Sequence, residues 1–343
     1  MLRNTYVNCH TLDGRAVPWQ PPALPEGAQA EEIYFGRVLA EMDRRLDRGG
    51  LTVYATNDVE SLPSYGRDVV VLLIGEEWTR VPAYHADVRA IFTNLAVRPE
   101  LGANPLRDPS WVNLGLTLAY GRMWAYHFPG QARLRMRRAR GGWTAPILRL
   151  PIGILDQLDL PIKPLAERRH DVFFAGSVGH RGGGAAWLLD RIRPKTVARD
   201  RMMRNAERLA ERHPELSVEL ATTAGFLESL AADSAAYSHA MMDSRIGLVP
   251  RGATPDTCRF WQVLRYGCVP VVDALPVHSF FYDGAPVVAL SDWDELEDAV
   301  VPLLADADRL QDLHERGLEW WRTRGAEAAV GAYMARRLNE IRD

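Results

Sequence analysis

Long apolar runs, paired cysteines and lysine are what this chain of 343 residues has least of. No apolar run approaches the roughly 20 residues that a membrane-spanning helix needs, and the amino terminus shows no charged stretch followed by a hydrophobic one. The expectation is a cytoplasmic protein without a transmembrane segment. Cys9, Cys258 and Cys268 are an odd set without metal-ligand spacing, which argues against a disulfide framework or a structural zinc site. The net charge of -3 is too small to imply a nucleic-acid or membrane partner by itself. Lysine is scarce beside arginine and alanine is abundant, as in a GC-rich bacterial coding sequence. Neither an internal repeat nor a low-complexity tract is present.

What is present is an alternation of strand-like and helix-like segments, in a chain longer than one hydrophobic core usually supports. Residues 5–8, 51–55, 68–74, 89–93 and 146–150 read as strands, and 31–48 as an amphipathic helix. The run Val69 to Ile74 is apolar on both faces, which suits a central strand of a parallel sheet. Residues 111–124 are apolar but irregular and carry no clear assignment. Pro161 and Pro164 among short apolar residues mark an interdomain connection, so the domains are expected at 1–157 and 158–343. Strands at 171–175, 216–221 and 286–290, and helices at 185–193, 197–212, 231–242 and 292–304, are expected in the second domain. One long helix over 307–342 closes the chain and is expected to return to the first domain.

The segment from Ser244 to Asp273 says most about chemistry. Ile246 to Val249 form a short apolar strand that Pro250 ends, and Arg251-Gly252 turns the chain. Thr254 is expected to cap a helix with Pro255 at its first position, which gathers backbone N–H groups beside the Arg251 guanidinium. Such a combination suits a diphosphate. Along the helix Phe260, Trp261 and Leu264 share one face, Asp256, Arg259 and Gln262 another. Gly267 stops the helix and Cys268 to Val272 begin a buried strand.

Ser244, Pro250-Arg251-Gly252, Arg259 and Gly267-Cys268-Val269-Pro270-Val271 resemble the carboxyl-terminal half of the exostosin-like glycosyltransferases. Tyr237 and Phe173-Phe174-Ala175-Gly176 extend the resemblance over residues 170–275. It implies an α/β chain of GT-B architecture, two Rossmann-like doubly wound domains facing across a cleft. The first would serve the acceptor and the second would bind the nucleotide sugar. Where the family commonly carries a carboxylate this chain has Gln262, which can still hydrogen-bond a ribose.

Three further groups are candidates. Gly176-Ser177, followed by the glycine-rich stretch through Arg181 to Gly184, lies between a strand and a helix, where its backbone and the Ser177 and Arg181 side chains could meet the donor. Its glycine spacing is not the dinucleotide fingerprint. A base for the acceptor hydroxyl is sought at strand ends of the first domain: Glu77 first, with Glu76 and Asp58 in reserve, and His10, His85 and His180 as alternatives. The arginine run Arg133–Arg140 could receive an anionic acceptor, such as a phosphorylated lipid head, an acidic glycan or nucleic acid. More often such a run is a solvated face or a mobile loop.

The expected activity is inverting transfer of a sugar from a nucleotide-diphosphate donor, a uridine diphosphate sugar, to an acceptor hydroxyl. Fixed positive groups would stabilise the departing diphosphate, with no metal and no cofactor. The acceptor would be a glycan, a lipid-linked sugar or a small molecule. Alternatives are a nucleotide-sugar epimerase or phosphorylase of the same fold, and a noncatalytic glycan- or nucleotide-binding subunit.

Overall fold

A computed structural model describes residues 3–11, 14–27, 30–97, 111–155, 157–177, 194–223, 234–276 and 279–341. The chain divides into two compact units, one made of Met1–Glu100, Tyr120–Leu155 and Arg324–Asp343, the other of Leu101–Ala119 and Asp156–Thr323.

The first unit is built on a six-stranded sheet in the order β2-β1-β3-β4-β5-β6. Its strands are β1 (Thr5–Asn8), β2 (Val17–Trp19), β3 (Thr52–Thr56), β4 (Gly66–Leu73), β5 (Val88–Thr93) and β6 (Ile147–Arg149). All run parallel except β2, which pairs antiparallel with β1. Val69 to Leu73, the last five residues of β4, are buried, so both faces of that part are covered as a central parallel strand requires. Helix α1 (Ala30–Asp43) buries Tyr34, Phe35, Val38, Leu39 and Met42 at helical spacing. The edge strand β2 has no counterpart in the sequence reading, because Pro18 interrupts a pattern only three residues long.

The unassigned stretch from residue 111 is helix α2 (Trp111–Ala139), which also includes most of the arginine run. From Tyr120 onward it buries only Tyr120, His127, Gln131 and Leu134, while Trp124, Tyr126 and Phe128 are more than half exposed. Apolar residues on the outside erase the periodicity by which a helix is read from sequence.

The second unit holds an all-parallel sheet in the order β11-β10-β9-β7-β8. Its strands are β7 (His170–Ser177), β8 (Val218–Thr223), β9 (Ser244–Val249), β10 (Val269–Val272) and β11 (Val288–Ala289). Helices α3 (Pro194–Arg212), α4 (Ser234–Met242), α5 (Cys258–Arg265), α6 (Leu296–Ala305) and α7 (Ala307–Trp320) connect and cover them. The core joins Val172, Phe174, Ile246, Leu248, Val269 and Val271 of the sheet to Met202, Ala206 and Leu209 of α3. Helix α5 lies close on β9: a Cβ at Gly247 would sit 2.5 Å from Val263 Cγ2. From β7 the chain goes outward to β8, then returns to the other side of β7 with β9 and continues to β10 and β11. The order therefore reverses between β7 and β9, where open parallel sheets form a crevice at the carboxyl ends of their strands.

The expected single terminal helix is two. A π-helical turn over Trp321–Gly325 separates α7 from α8 (Glu327–Asn339), and α8 belongs to the first unit. There it lies against α1, close enough that a Cβ at Gly331 would come within 2.7 Å of the Val38 carbonyl oxygen. The Tyr34 hydroxyl donates to the Gly325 carbonyl at 2.6 Å, which ties the turn to α1. The helix expected at 185–193 lies outside the described residues.

Candidate functional site

Two buried arginines occupy the carboxyl-terminal edge of the second sheet at its point of reversal. Arg259 is the second residue of α5 and Arg199 lies in the second turn of α3; they are 9% and 7% exposed. The Arg259 Nη2 donates to the carbonyl of Ala175, and its guanidinium carbon lies 4.7 Å from the centre of the Phe174 ring. Arg199 Nη1 donates to the Ser177 carbonyl and reaches Ser177 Oγ at 3.3 Å. Among the described residues neither guanidinium forms an ion pair with a carboxylate, and the Nε of each is buried with no hydrogen-bond partner. Burial first, and the charge of Arg259 second, push the Arg199 guanidinium below the usual arginine range. Keeping two like charges out of water without counterions is costly. An anion placed there would relieve both the desolvation and the repulsion.

The surroundings are arranged around these two side chains. Gly176 has φ +152°, and a Cβ there would lie 2.3 Å from Arg259 Nη2. The glycine thus makes room for the arginine, which is the reason for a glycine at the end of β7. The Tyr237 hydroxyl donates to Gln262 Oε1 at 2.9 Å, and its ring meets Phe173 edge-on at 5.9 Å. Burial raises the Tyr237 phenol while the Arg259 charge pulls it the other way. Tyr237, Gln262 and Arg259 therefore form one polar group under the amino end of α5, whose dipole adds positive potential.

Several residues stand differently from expectation. Helix α5 starts at Cys258, and its cap is Thr257, whose side chain accepts from the Arg259 N–H; Thr254 and Pro255 belong to the preceding loop. Thr254 is buried in that loop, and Gly252 packs near the Asp256 carbonyl oxygen, which would lie 3.2 Å from an added Cβ. Arg251 is tied to Asp273: its N–H donates to Oδ1 at 2.8 Å and its Nε to Oδ2 at 2.8 Å. That pair links the loop after β9 to the end of β10, so Arg251 fixes the loop while Arg199 and Arg259 carry the unneutralised charge. Gln262 is buried beneath Tyr237. Arg181 and His180 lie outside the described residues.

Arg199 was not among the sequence candidates, yet it has a legible signal. It shares one helical face with Met202, Ala206 and Leu209, so a charged residue stands on the apolar stripe of an amphipathic helix. The buried Arg168 is the opposite case. Its Nε donates to the Lys163 carbonyl at 3.0 Å, Nη1 to Ser244 at 2.7 Å and Nη2 to Tyr266 at 2.8 Å. It fastens the amino-terminal ends of the sheet with every nitrogen used.

In the first unit the base candidates at the strand ends are mostly committed. Glu76 is 6% exposed and held by Arg80, Nε to Oε1 at 3.0 Å and Nη2 to Oε2 at 2.8 Å. Asp58 accepts from the Glu60 N–H at 2.7 Å and the Ser61 hydroxyl at 3.0 Å, which closes its turn. Glu77 is exposed. His85 Nδ1 meets the Pro82 carbonyl at 2.9 Å, a local turn bond. His10, two residues after β1, differs from these. Its Nδ1 lies 2.7 Å from Oε1 of Glu32 in the first turn of α1, and the carboxylate is fully buried. Its Nε2 points toward Gly75 at the end of β4, 4.0 Å from the Cβ that residue lacks. Among the described residues no three His, Cys, Asp or Glu side chains group as metal ligands.

No protein-family model matches the chain, and no curated protein matches it. Solved glycosyltransferases align with it. The pneumococcal O-GlcNAc transferase GtfA, in complex with UDP and GlcNAc, does so at 8% identity with a TM-score of 0.43, over 96% of this chain and 66% of its own length. This chain thus spans less than two thirds of that protein. WaaG, a glycosyltransferase involved in lipopolysaccharide biosynthesis, aligns at 12% identity and TM-score 0.43 over 91% of this chain and 96% of its own. AviGT4, a glycosyltransferase involved in avilamycin A biosynthesis, aligns at 11% and 0.43 over 99% and 98%. At such identities and scores the chemistry rests on the residues of the site.

Proposed function

We propose that this protein transfers a sugar from a uridine diphosphate donor to an acceptor hydroxyl, with inversion and without a metal ion. The observation that carries this reading is the pair of buried, unneutralised arginines at the reversal point of the second sheet. When the bond between the sugar and the diphosphate breaks, the leaving oxygen takes the electron pair and the diphosphate gains negative charge. Arg199 and Arg259 present donors already desolvated and aimed, so little reorganisation accompanies that charge. The amino end of α5 and the loop holding Gly252 and Thr254 complete the donor site, with Ser177 orienting Arg199 and the Tyr237–Gln262 pair meeting the ribose. The resemblance of residues 170–275 to exostosin-like glycosyltransferases supports the same assignment.

The acceptor hydroxyl must lose its proton as the glycosidic bond forms. We assign that proton to His10, whose ring the buried Glu32 carboxylate orients through Nδ1. Glu76 is unsuited because Arg80 neutralises it, and Asp58 because it closes a turn. Glu77 is exposed, and among the described residues no hydrogen bond orients its carboxylate. The acceptor is a glycan, a lipid-linked sugar or a small molecule.

Thermal unfolding with a panel of nucleoside diphosphates and their sugars tests the donor. Stabilisation by a uridine nucleotide and release of free uridine diphosphate only with an acceptor present are expected. Absence of any nucleotide effect removes the donor site, and conversion of the donor without an acceptor favours the epimerase or phosphorylase. Replacing His10 with Gln should preserve donor binding and lower transfer by roughly two to four orders of magnitude. Collapse with Glu77→Gln instead would return the base to Glu77.

A further inference from the structure

Helix α2 is held to the first unit by a single narrow stripe. Tyr120, His127, Gln131 and Leu134 are buried, with His127 Nδ1 at 3.0 Å from the Thr79 carbonyl and Gln131 Nε2 donating to Val97 at 3.3 Å. The rest of its surface from residue 121 faces outward and has an unusual composition. Arg122, Arg133, Arg135, Arg137, Arg138 and Arg140 are all exposed, and no aspartate or glutamate occurs from 120 to 140. Where their bonds are described they go to neutral groups: Arg137 Nε donates to the Trp143 carbonyl at 2.9 Å, and Arg138 Nε to Thr144 Oγ1 at 3.1 Å. Beside these charges stand four large apolar side chains, Trp124, Tyr126, Phe128 and Met136, each more than half exposed, and Trp78, 44% exposed.

We propose that this face of α2 docks the protein on an anionic lipid bilayer. Arginines reach lipid phosphates while aromatic side chains enter the boundary between headgroups and acyl chains, the pattern of helices that lie in a membrane interface. A net-acidic chain with a concentrated cationic face has the charge complementarity that such a surface requires. A second copy of the chain is disfavoured, since two such faces would repel. Single-stranded nucleic acid needs open ring faces on which bases stack. Here the rings cover one another: Trp124 and Phe128 stack at 5.8 Å with 29° between their planes, and Trp78 and Tyr126 lie 5.5 Å apart under Arg122. Their free edges suit insertion better than stacking. This docking is independent of the donor assignment.

The test is flotation of the full chain with vesicles of phosphatidylcholine alone and of phosphatidylcholine mixed with phosphatidylglycerol. Binding to the mixed vesicles only, weakened by salt, is expected. The double change Trp124→Ser and Phe128→Ser, and separately Arg133→Glu with Arg135→Glu, should each lower binding more than about ten-fold. Both alter exposed side chains, so unchanged thermal midpoints should accompany the loss. Failure to bind mixed vesicles overturns the proposal. So does equal binding to both vesicle types, or full retention in the aromatic variant. Tighter capture by a single-stranded oligonucleotide or heparin than by mixed vesicles would also overturn it, marking the face as a polyanion site.

Discussion

The two ends of the second sheet treat buried arginine in opposite ways. At the amino-terminal edge Arg168 donates from all three nitrogens to backbone carbonyls before β7, at the first residue of β9 and before β10, so its charge is embedded in fixed dipoles. At the carboxyl-terminal edge Arg199 and Arg259 are also buried, and among the described residues both Nε atoms lack a hydrogen-bond partner. Burial alone does not separate a structural arginine from a ligand-binding one; the account of its hydrogen bonds does. The first unit carries the same lesson with carboxylates. Asp43 accepts from Tyr6, Asn4 and the Arg3 N–H and serves as a pin, whereas the buried Glu32 carboxylate meets the titratable imidazole of His10.

That contrast can be broken by substitution. The largest effect is expected from Arg168→Met, which strands two buried carbonyls and one half-buried one and should cost about 3 kcal/mol or more in denaturant unfolding. A loss under about 1 kcal/mol would show that Arg168 is no pin. Arg199→Met should do the reverse. The free protein should keep or gain stability, because an apolar side chain replaces an unneutralised charge. Uridine diphosphate affinity should fall about 10- to 100-fold, measured by titration calorimetry. Retained affinity would place the diphosphate elsewhere.

Gly176→Ala sharpens the comparison by moving Arg259 without removing it. The φ of +152° and the 2.3 Å approach to Nη2 predict a destabilisation of about 1–3 kcal/mol together with weakened donor binding. Stability lost without any change in donor binding would separate Arg259 from the ligand. The smallest effect concerns His213, at the end of α3 that lies far from Arg199. Hydrogen bonds donated to the carboxylates of Glu215 and then Glu297 raise its pKa in the folded chain. Its contribution is therefore fully present below about pH 6.5 and is lost as pH rises through the raised folded value. His213→Gln should lower the unfolding midpoint slightly at pH 6 and not at pH 9; equal shifts at both would exclude the charged histidine as their source.

Strands and buried helices were legible in the sequence because each carries its own pattern: the unbroken apolar run of β4, the stripe of α1, the strand-turn-helix-strand grammar around Arg251. The donor edge was legible as a region, through Ser177, Arg259 and Gln262, but not in its wiring. Arg251 had the most conspicuous setting, yet its partner Asp273 is 22 residues away and becomes a neighbour only when β9 and β10 pair. Arg199 stood in plain view on an apolar stripe and gained meaning only when β7 placed Ser177 beneath it.

From its own residues, then, the chain dictates local hydrogen-bonded elements, the apolar strands of two largely parallel sheets, and the glycines at tight approaches such as Gly176. Periodicity, turn chemistry and steric limits act over a few residues and need nothing distant. Tertiary structure alone decided which arginines are neutralised, that His10 meets Glu32, and that the final helix joins the first unit rather than the one it follows. Those outcomes depend on distances between groups remote in sequence, and electrostatic energy depends on distance and burial, which no single segment encodes.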